Sequence, residues 1–214
     1  MLEEGSCADP PFFGLLPTEY LVLLQNFYAI IKPTMDIGVY GLIGYEGALA
    51  IYEENRAFLD TRFPAFWIRD FLKWQEEQQR RVEIFTHDQE LAVSIRTGGL
   101  YGALWKLCEA LGQGCMIDMQ QVPILQEVVE ICECFDQDPY EIPSGGAFLI
   151  SGEDLGEKDM GGLTVIGHTT EKKDRIVLLG WDEKKNERYK RYLTPPARQA
   201  KDMADRARHT VSKM

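Results

Sequence analysis

The sequence lacks any run of the roughly 18 apolar residues that a membrane span requires. Its most apolar N-terminal stretch, Leu15 to Ile31, is broken by Glu19, Gln25 and Asn26. The opening Met1-Leu2-Glu3-Glu4 has no positive start of a secretory leader. Cysteine is scarce and odd in number, with Cys7, Cys108, Cys115, Cys132 and Cys134 in no framework spacing. Together these absences lead to the expectation of a cytoplasmic protein with reduced thiols. Positive charge is also short. Lys and Arg number 23 against 34 Asp and Glu, for a net charge of −11. A nucleic-acid backbone demands clustered cations, so neither nucleic acid nor membrane is an expected partner. The three histidines, His87, His168 and His209, fall in no ligand spacing, and Cys132-Glu133-Cys134 is C-x-C rather than C-x-x-C, so no metal is expected. No serine elbow, zinc-protease motif or phosphate loop of the G-x-x-x-x-G-K-[ST] type is present. No residue is assigned a catalytic role.

What is there is an ordinary core-forming composition, 45% hydrophobic over 214 residues, enough to bury a core without disulfide staples. The charge is uneven. Lys184 to Met214 holds ten Lys or Arg against three acids, leaving −18 on residues 1–183. Pro10, Pro11, Gly14 and Pro17 make the start irregular, and Thr18 is placed to cap a helix from Glu19 to Ile31. A strand is expected over Ile37–Leu42, then a helix from Ala48 to about Leu59. Pro64 opens another helix, whose Trp67, Phe71 and Trp74 form a core-packing stripe, and the polar Gln75–Arg81 closes it. Val82–Phe85 and Leu91–Ile95 read as short strands. A helix then runs from Thr97-Gly98-Gly99 through Leu100, Leu104, Leu107 and Leu111 to Gly112. Cys115–Met119 reads as a strand, Pro123 starts a helix with Leu125, Val128, Val129 and Cys132 inward, and Ala147–Ser151, Leu163–Thr169 and Arg175–Leu179 complete the strands. The tail Ala197–Arg208 reads as an exposed helix. This alternation predicts an α+β fold, a mixed sheet packed with helices.

Three glycine turns carry the candidate chemistry: Gly44-Tyr45-Glu46-Gly47, Thr97-Gly98-Gly99 and Ser144-Gly145-Gly146. The first two lead into helices, whose N-terminal N–H groups and positive dipole end suit an anion, while glycine admits it close to the backbone. The same residues also serve a strand that merely turns sharply into a helix.

In combination the motifs become specific. They comprise Asp36-Ile37-Gly38, Ile43-Gly44-Tyr45-Glu46-Gly47-Ala48, Thr97-Gly98-Gly99-Leu100-Tyr101-Gly102-Ala103, Gly112-Gln113-Gly114, Ile117-Asp118 and Asp138-Pro139-Tyr140. Ser144-Gly145-Gly146-Ala147, Val165-Ile166-Gly167 and Arg191-Tyr192-Leu193-Thr194-Pro195-Pro196 follow in order. This series resembles the C-terminal domain of the aminoimidazole ribonucleotide synthetase (PurM-like) superfamily, and within it the hydrogenase maturation factors and related bacterial proteins. The resemblance divides the chain into a lead-in and helix (1–31), the related domain (32–196) and a basic tail (197–214).

It also implies function. In that superfamily an N-terminal domain carries the acidic magnesium and ATP ligands and makes most of the dimer. The C-terminal domain closes over the nucleotide with glycine-loop contacts, and the chemistry is ATP-dependent phosphorylation. The residues before Lys32 hold no aspartate cluster, so a stand-alone C-terminal domain is expected. It would bind a phosphate or carboxylate ligand, or act as an accessory protein, without ATP chemistry of its own. Mg-ATP enters only if a partner supplies the missing domain, which makes a half-enzyme the alternative reading; a decayed structural paralogue is another. Expected partners are a second copy of the chain or an ATP-binding subunit. The expected ligand contacts are backbone groups at Thr97, Gly98, Gly99, Ser144, Gly145, Gly146, Gly44 and Gly47. Where the family commonly has an acid shortly before the second turn, this chain has Ser94-Ile95-Arg96. Gly152–Gly162 contains four glycines where the family usually places a full helix, and the chain ends without the reactive cysteine of the maturation factors.

Overall fold

Asp36-Ile37-Gly38-Val39-Tyr40 alternates side chains between two faces, and both faces find partners. As strand β1 (Asp36–Tyr40) it pairs antiparallel with two neighbours, so no edge is left open. The structure is a computed structural model and describes residues 34–84, 92–157 and 161–195. All lie in one compact unit that begins at Thr34. The expected helices Glu19–Ile31 and Ala197–Arg208, and the His87-Asp88 segment, lie outside the described residues.

The remaining strands are β2 (Ala92–Ser94), β3 (Gly114–Asp118), β4 (Phe148–Gly152), β5 (Leu163–Thr170), β6 (Arg175–Asp182) and β7 (Glu187–Tyr192). They form one sheet in the order β2-β4-β1-β5-β3-β6-β7. Every pair is antiparallel except β3 with β6. The fold is therefore α+β with a mixed sheet, as the alternation predicts. One sheet face, carrying Ile37, Val39, Ile117, Leu149, Ile166 and Val177, packs on the helix Gly99–Leu111 through Leu100, Ala103, Leu104 and Leu107. The opposite face carries Tyr40 and Ile150 over Leu155.

A second apolar cluster joins the other helices. In chain order the helices are α1 (Tyr45–Glu54), α2 (Arg56–Arg62), α3 (Ala65–Leu72), α4 (Trp74–Ile84), α5 (Gly99–Leu111) and α6 (Gln126–Cys134); α5 is the one packed on the sheet, and the other five meet in the second cluster. At its centre is Phe71, fully buried, whose ring lies 5.0 Å from that of Tyr45 and 6.2 Å from that of Tyr52. Of the expected aromatic stripe, Phe71 is core, while Trp67 and Trp74 are half-buried on its rim.

The structure corrects several sequence readings and adds one strand, β7, that the sequence analysis does not include. The helix expected over Ala48–Leu59 begins earlier, at Tyr45, and breaks at Asn55, whose side-chain amide donates to the Ile51 carbonyl at 2.9 Å and competes with the helical ladder. Gln75–Arg81 does not close a helix, and Val82–Ile84 is not a strand: both belong to α4, built from strong helix formers with little apolar patterning. Pro123 does not start α6, because Ile124 bridges Ile43 and the Pro123 carbonyl accepts from the Ile43 N–H at 3.0 Å, which holds the chain extended to Leu125. Cys115–Met119 shifts to Gly114–Asp118, and Met119 turns into a 3-10 segment that Asp118 caps by accepting from the Gln120 N–H. Finally, β7 is a polar edge strand with no apolar alternation, fixed by Arg188, whose guanidinium makes a two-pronged pair with Asp118 at 2.5 and 2.6 Å. That pair holds the Asp118 carboxyl below its ordinary range. In the Gly152–Gly162 stretch the described residues form only a 3-10 turn, Leu155–Glu157, anchored by the Leu155 N–H on Asp36.

The Tyr45 hydroxyl donates to the Phe71 carbonyl at 3.0 Å inside this second cluster, and burial pushes its pKa from 10.0 to about 12. A raised acid favours folding while it stays protonated, so its contribution is full below pH 10.0 and is lost as pH rises toward 12. Tyr45→Phe should make the decline in stability across that window shallower, and should cost about 1 kcal/mol at neutral pH for the lost hydrogen bond. Urea unfolding at a series of alkaline pH values checks both; an unchanged alkaline slope would contradict the assignment.

Candidate functional site

The three glycine turns are far apart in sequence, yet residues 139–147 tie them together. The Gly44 N–H donates to the fully buried Ser144 hydroxyl at 2.7 Å, and the Gly47 N–H donates to the Pro143 carbonyl at 2.9 Å. The Ser144 N–H donates to the Ile95 carbonyl at 3.0 Å, two residues before Thr97. The Leu100 N–H donates to the Tyr140 carbonyl at 2.9 Å. The first turns of α1 and α5 are thus both fastened to one loop.

This fastening decides which backbone donors remain. The N–H groups of Gly44, Gly47 and Ser144 are used as above, and that of Gly99 goes to the Arg96 carbonyl at 2.8 Å. Ser144 through Ala147 forms a tight turn, closed by the Ala147 N–H on the Ser144 carbonyl, with Gly146 at φ +83°. Within that turn the Gly145 and Gly146 N–H groups have no acceptor among the described residues. Thr97 is exposed beside Gly98.

Packing explains part of the glycine content. A Cβ on Gly99, at φ +58°, would lie 2.3 Å from the Tyr140 carbonyl oxygen, and one on Gly145 would lie 2.7 Å from the Glu46 carboxylate carbon. A Cβ on Gly98 would meet nothing closer than 3.4 Å, although its φ is +86°. Gly98→Ala should therefore cost only the left-handed penalty of about 1–2 kcal/mol, and Gly99→Ala clearly more, because the backbone at Tyr140 and Glu141 must shift. Equal midpoints for the two variants in urea unfolding would contradict this packing.

Where the turns meet lies a crevice of about 260 Å³, lined by Tyr45, Glu46, Leu49, Gln75, Gln78, Arg96, Gly145 and Gly146. Arg96 and Glu46 are exposed at its walls, and neither has an ion-pair partner among the described residues. Gln78 is different. It is only 4% exposed, its Nε2 donates weakly to the Leu42 carbonyl at 3.4 Å, and its buried Oε1 has no hydrogen-bond partner. The Leu42 carbonyl fixes which end of the amide is which, since an oxygen there would face an oxygen.

Larger crevices elsewhere are poorer candidates. One of about 630 Å³ is lined by Tyr52, Arg56, Asp60, Arg69 and Lys73, but its charges are already paired: Arg56 with Asp60, and Lys73 and Arg69 with Asp70. Another of about 610 Å³ holds Glu46 and Glu54 and no cation. Of the expected site residues, Gly145 and Gly146 line the 260 Å³ crevice and Gly47 lines the 610 Å³ one, while Gly44, Ser144, Thr97, Gly98 and Gly99 line none of the three; Arg96, just before the Thr97 turn, lines the first. Gln75 and Gln78 were hidden in a stretch that reads as a polar helix end. Arg96 carried one signal, a cation where the family commonly has an acid.

Other chemistry-bearing groups serve packing. Cys108, Cys115 and Cys132 are buried, and burial pushes the Cys132 thiol up to about 12. Among the described residues no group of three His, Cys, Asp or Glu side chains is placed to hold a metal ion. No described helix is long and apolar enough to cross a membrane.

No protein-family model and no curated protein matches the chain. Solved structures do. The chain is similar to HypE in a HypE–HypF complex, at 15% identity and TM-score 0.54, covering 78% of this chain and 54% of that one. It is similar to HypE in complex with ATP, at 16% identity and TM-score 0.53, covering 77% and 51%. The E. coli hydrogenase maturation protein HypE matches at 16% identity and TM-score 0.51, covering 78% and 52%. The chain thus spans about half the length of the structures it matches, and the likeness is one of backbone architecture. Its mixed seven-stranded sheet with packed helices is the PurM-like fold found in HypE.

Proposed function

We propose that the crevice between the glycine turns binds a small phosphate- or carboxylate-bearing ligand, and that the chain is a ligand-binding or accessory component of a PurM-like system. The observation that supports this is one 260 Å³ crevice lined both by Arg96, which has no ion-pair partner among the described residues, and by Gly145 and Gly146, whose N–H groups have no acceptor among them. Consecutive backbone N–H groups in a turn form an anion-receiving concavity, and an adjacent guanidinium adds charge and direction. The volume lies just below the roughly 300–1,000 Å³ of pockets for drug-sized ligands, which suits a small ligand.

A second reading is favoured by the partial span of the HypE structures: the chain works as one half of an ATP-dependent enzyme. Among the described residues no acidic cluster is placed to hold a metal. On this reading the metal ligands of a bound Mg-ATP are sought outside the described residues. HypE itself has been captured with ATP and with HypF, which makes a second protein chain a reasonable partner to look for.

Thermal unfolding with and without inorganic phosphate tests the first reading. A ligand at 100 times its Kd adds about 2.7 kcal/mol, a rise of several degrees for a domain of this size. Arg96→Ala should abolish that rise while leaving the phosphate-free midpoint nearly unchanged, since the side chain is exposed. No shift with phosphate or acetate in the wild type, or a shift that survives Arg96→Ala, would contradict the proposal.

A further inference from the structure

The sheet ends at β7, and the hairpin that β7 forms with β6 carries a surface the crevice does not explain. Trp181, Tyr189 and Tyr192 are 56%, 52% and 60% exposed, three of the five large apolar side chains left open among the described residues. Cations accompany them. In β7, Arg188, Lys190 and Arg191 stand against the single acid Glu187, on a chain whose residues 1–183 carry −18. Arg188 is held by Asp118, and Arg191 lies 3.8 Å from Glu141 and 4.0 Å from Asp138, whereas Lys190 has no ion-pair partner among the described residues. The Leu193 N–H donates inward to the Arg175 carbonyl at 2.9 Å. Backbone groups alternate in direction along a strand, so the N–H groups of Lys190 and Tyr192 point away from β6. Trp181 stands across from Arg188, which puts it on the same sheet face as Lys190 and Tyr192.

Lysine alone on an edge strand keeps it from pairing. Exposed aromatics beside it act in the other direction, because Trp, Tyr and Arg are the side chains that anchor protein interfaces. Two copies joined edge to edge would set these cations against one another, which is repulsive. A nucleic-acid strand neutralises the lysine but brings no matching ladder of backbone donors and acceptors. We propose that the outer edge of β7 is a docking strand for an extended, acidic segment of a second protein. That segment adds to the sheet through main-chain hydrogen bonds at Lys190 and Tyr192, places a carboxylate against Lys190 between Trp181 and Tyr192, and packs an apolar side chain on Tyr189.

Two short peptides blocked at both ends, one of alternating Glu and Val and one of alternating Lys and Val, test this when titrated into the isotopically labelled full chain. Oligothymidylate serves as a third probe. The Glu peptide is expected to shift the Lys190 and Tyr192 amides saturably and to slow their hydrogen exchange, with the Lys peptide at least roughly fivefold weaker. Lys190→Glu, at an exposed position where substitution leaves the fold intact, should reverse that preference. Trp181→Ala should weaken the Glu peptide several-fold in protein whose melting curve matches the wild type. No binding of the Glu peptide, equal binding of the two peptides, or an unchanged preference in Lys190→Glu would overturn the proposal. So would shifts that leave β7 unmoved. Oligothymidylate protecting β7 more strongly than the Glu peptide would also overturn it, and would make the patch a nucleic-acid platform instead.

Discussion

The architecture around the crevice depends on the hydrogen bonds of one buried serine. Ser144 accepts from the Gly44 N–H at 2.7 Å through its hydroxyl and donates its own N–H to Ile95 at 3.0 Å. It thereby joins the loop after β1 to the loop before α5, and both to residues 139–147. Were the hydroxyl removed, the buried Gly44 N–H would lose its acceptor, a penalty of about 1–3 kcal/mol. The start of α1 would also lose its tether to the glycine turn. Gly145 and Gly146 follow Ser144 directly, so the same tether sets their position relative to Glu46 and Arg96.

That constraint gives the crevice its electrostatic character. Backbone donors that would otherwise point outward at Gly44, Gly47 and Gly99 are consumed in holding the turns together. The N–H groups of the next turn find no acceptor among the described residues, and that turn shares its crevice with Arg96 and with the Glu46 carboxylate packed against Gly145. Close packing explains several glycines without any ligand: Tyr140 presses on Gly99 and the Glu46 carboxylate on Gly145. On the proposed reading, glycine in these turns serves the fold and the site at once. The turn that serves the site most directly is the one after Ser144.

Much of the fold was legible because apolar periodicity and burial agree. The α5 stripe Leu100, Leu104 and Leu107, bounded by left-handed glycines at 98 and 112, is the clearest case. What escaped the sequence had physical reasons. Helix α4 is held by propensity with little apolar pattern, and β7 by an Arg188–Asp118 pair across a polar edge. Strand pairing at Ile43 and Ile124 overrode the helix-starting preference of Pro123. Of the candidate site, the sequence shows the glycines and not the side chains. Gln78 looks like any helix-surface glutamine until its burial and unpartnered oxygen are seen, and Arg96 gains meaning only from its place at the mouth of the crevice.

On the proposed reading, residues distant in sequence converge on one anion-receiving crevice at the Ser144–Ala147 turn. Titration of isotopically labelled protein with inorganic phosphate, followed through backbone amide and arginine side-chain resonances, tests it most directly. Saturable shifts are expected at the Gly145 and Gly146 amides and the Arg96 guanidinium, with much smaller changes at Gly47 and Gly99, whose N–H groups are already bonded. Saturable shifts centred instead on the crevice around Tyr52 and Arg69, with the Gly145 and Gly146 amides unmoved, would contradict it.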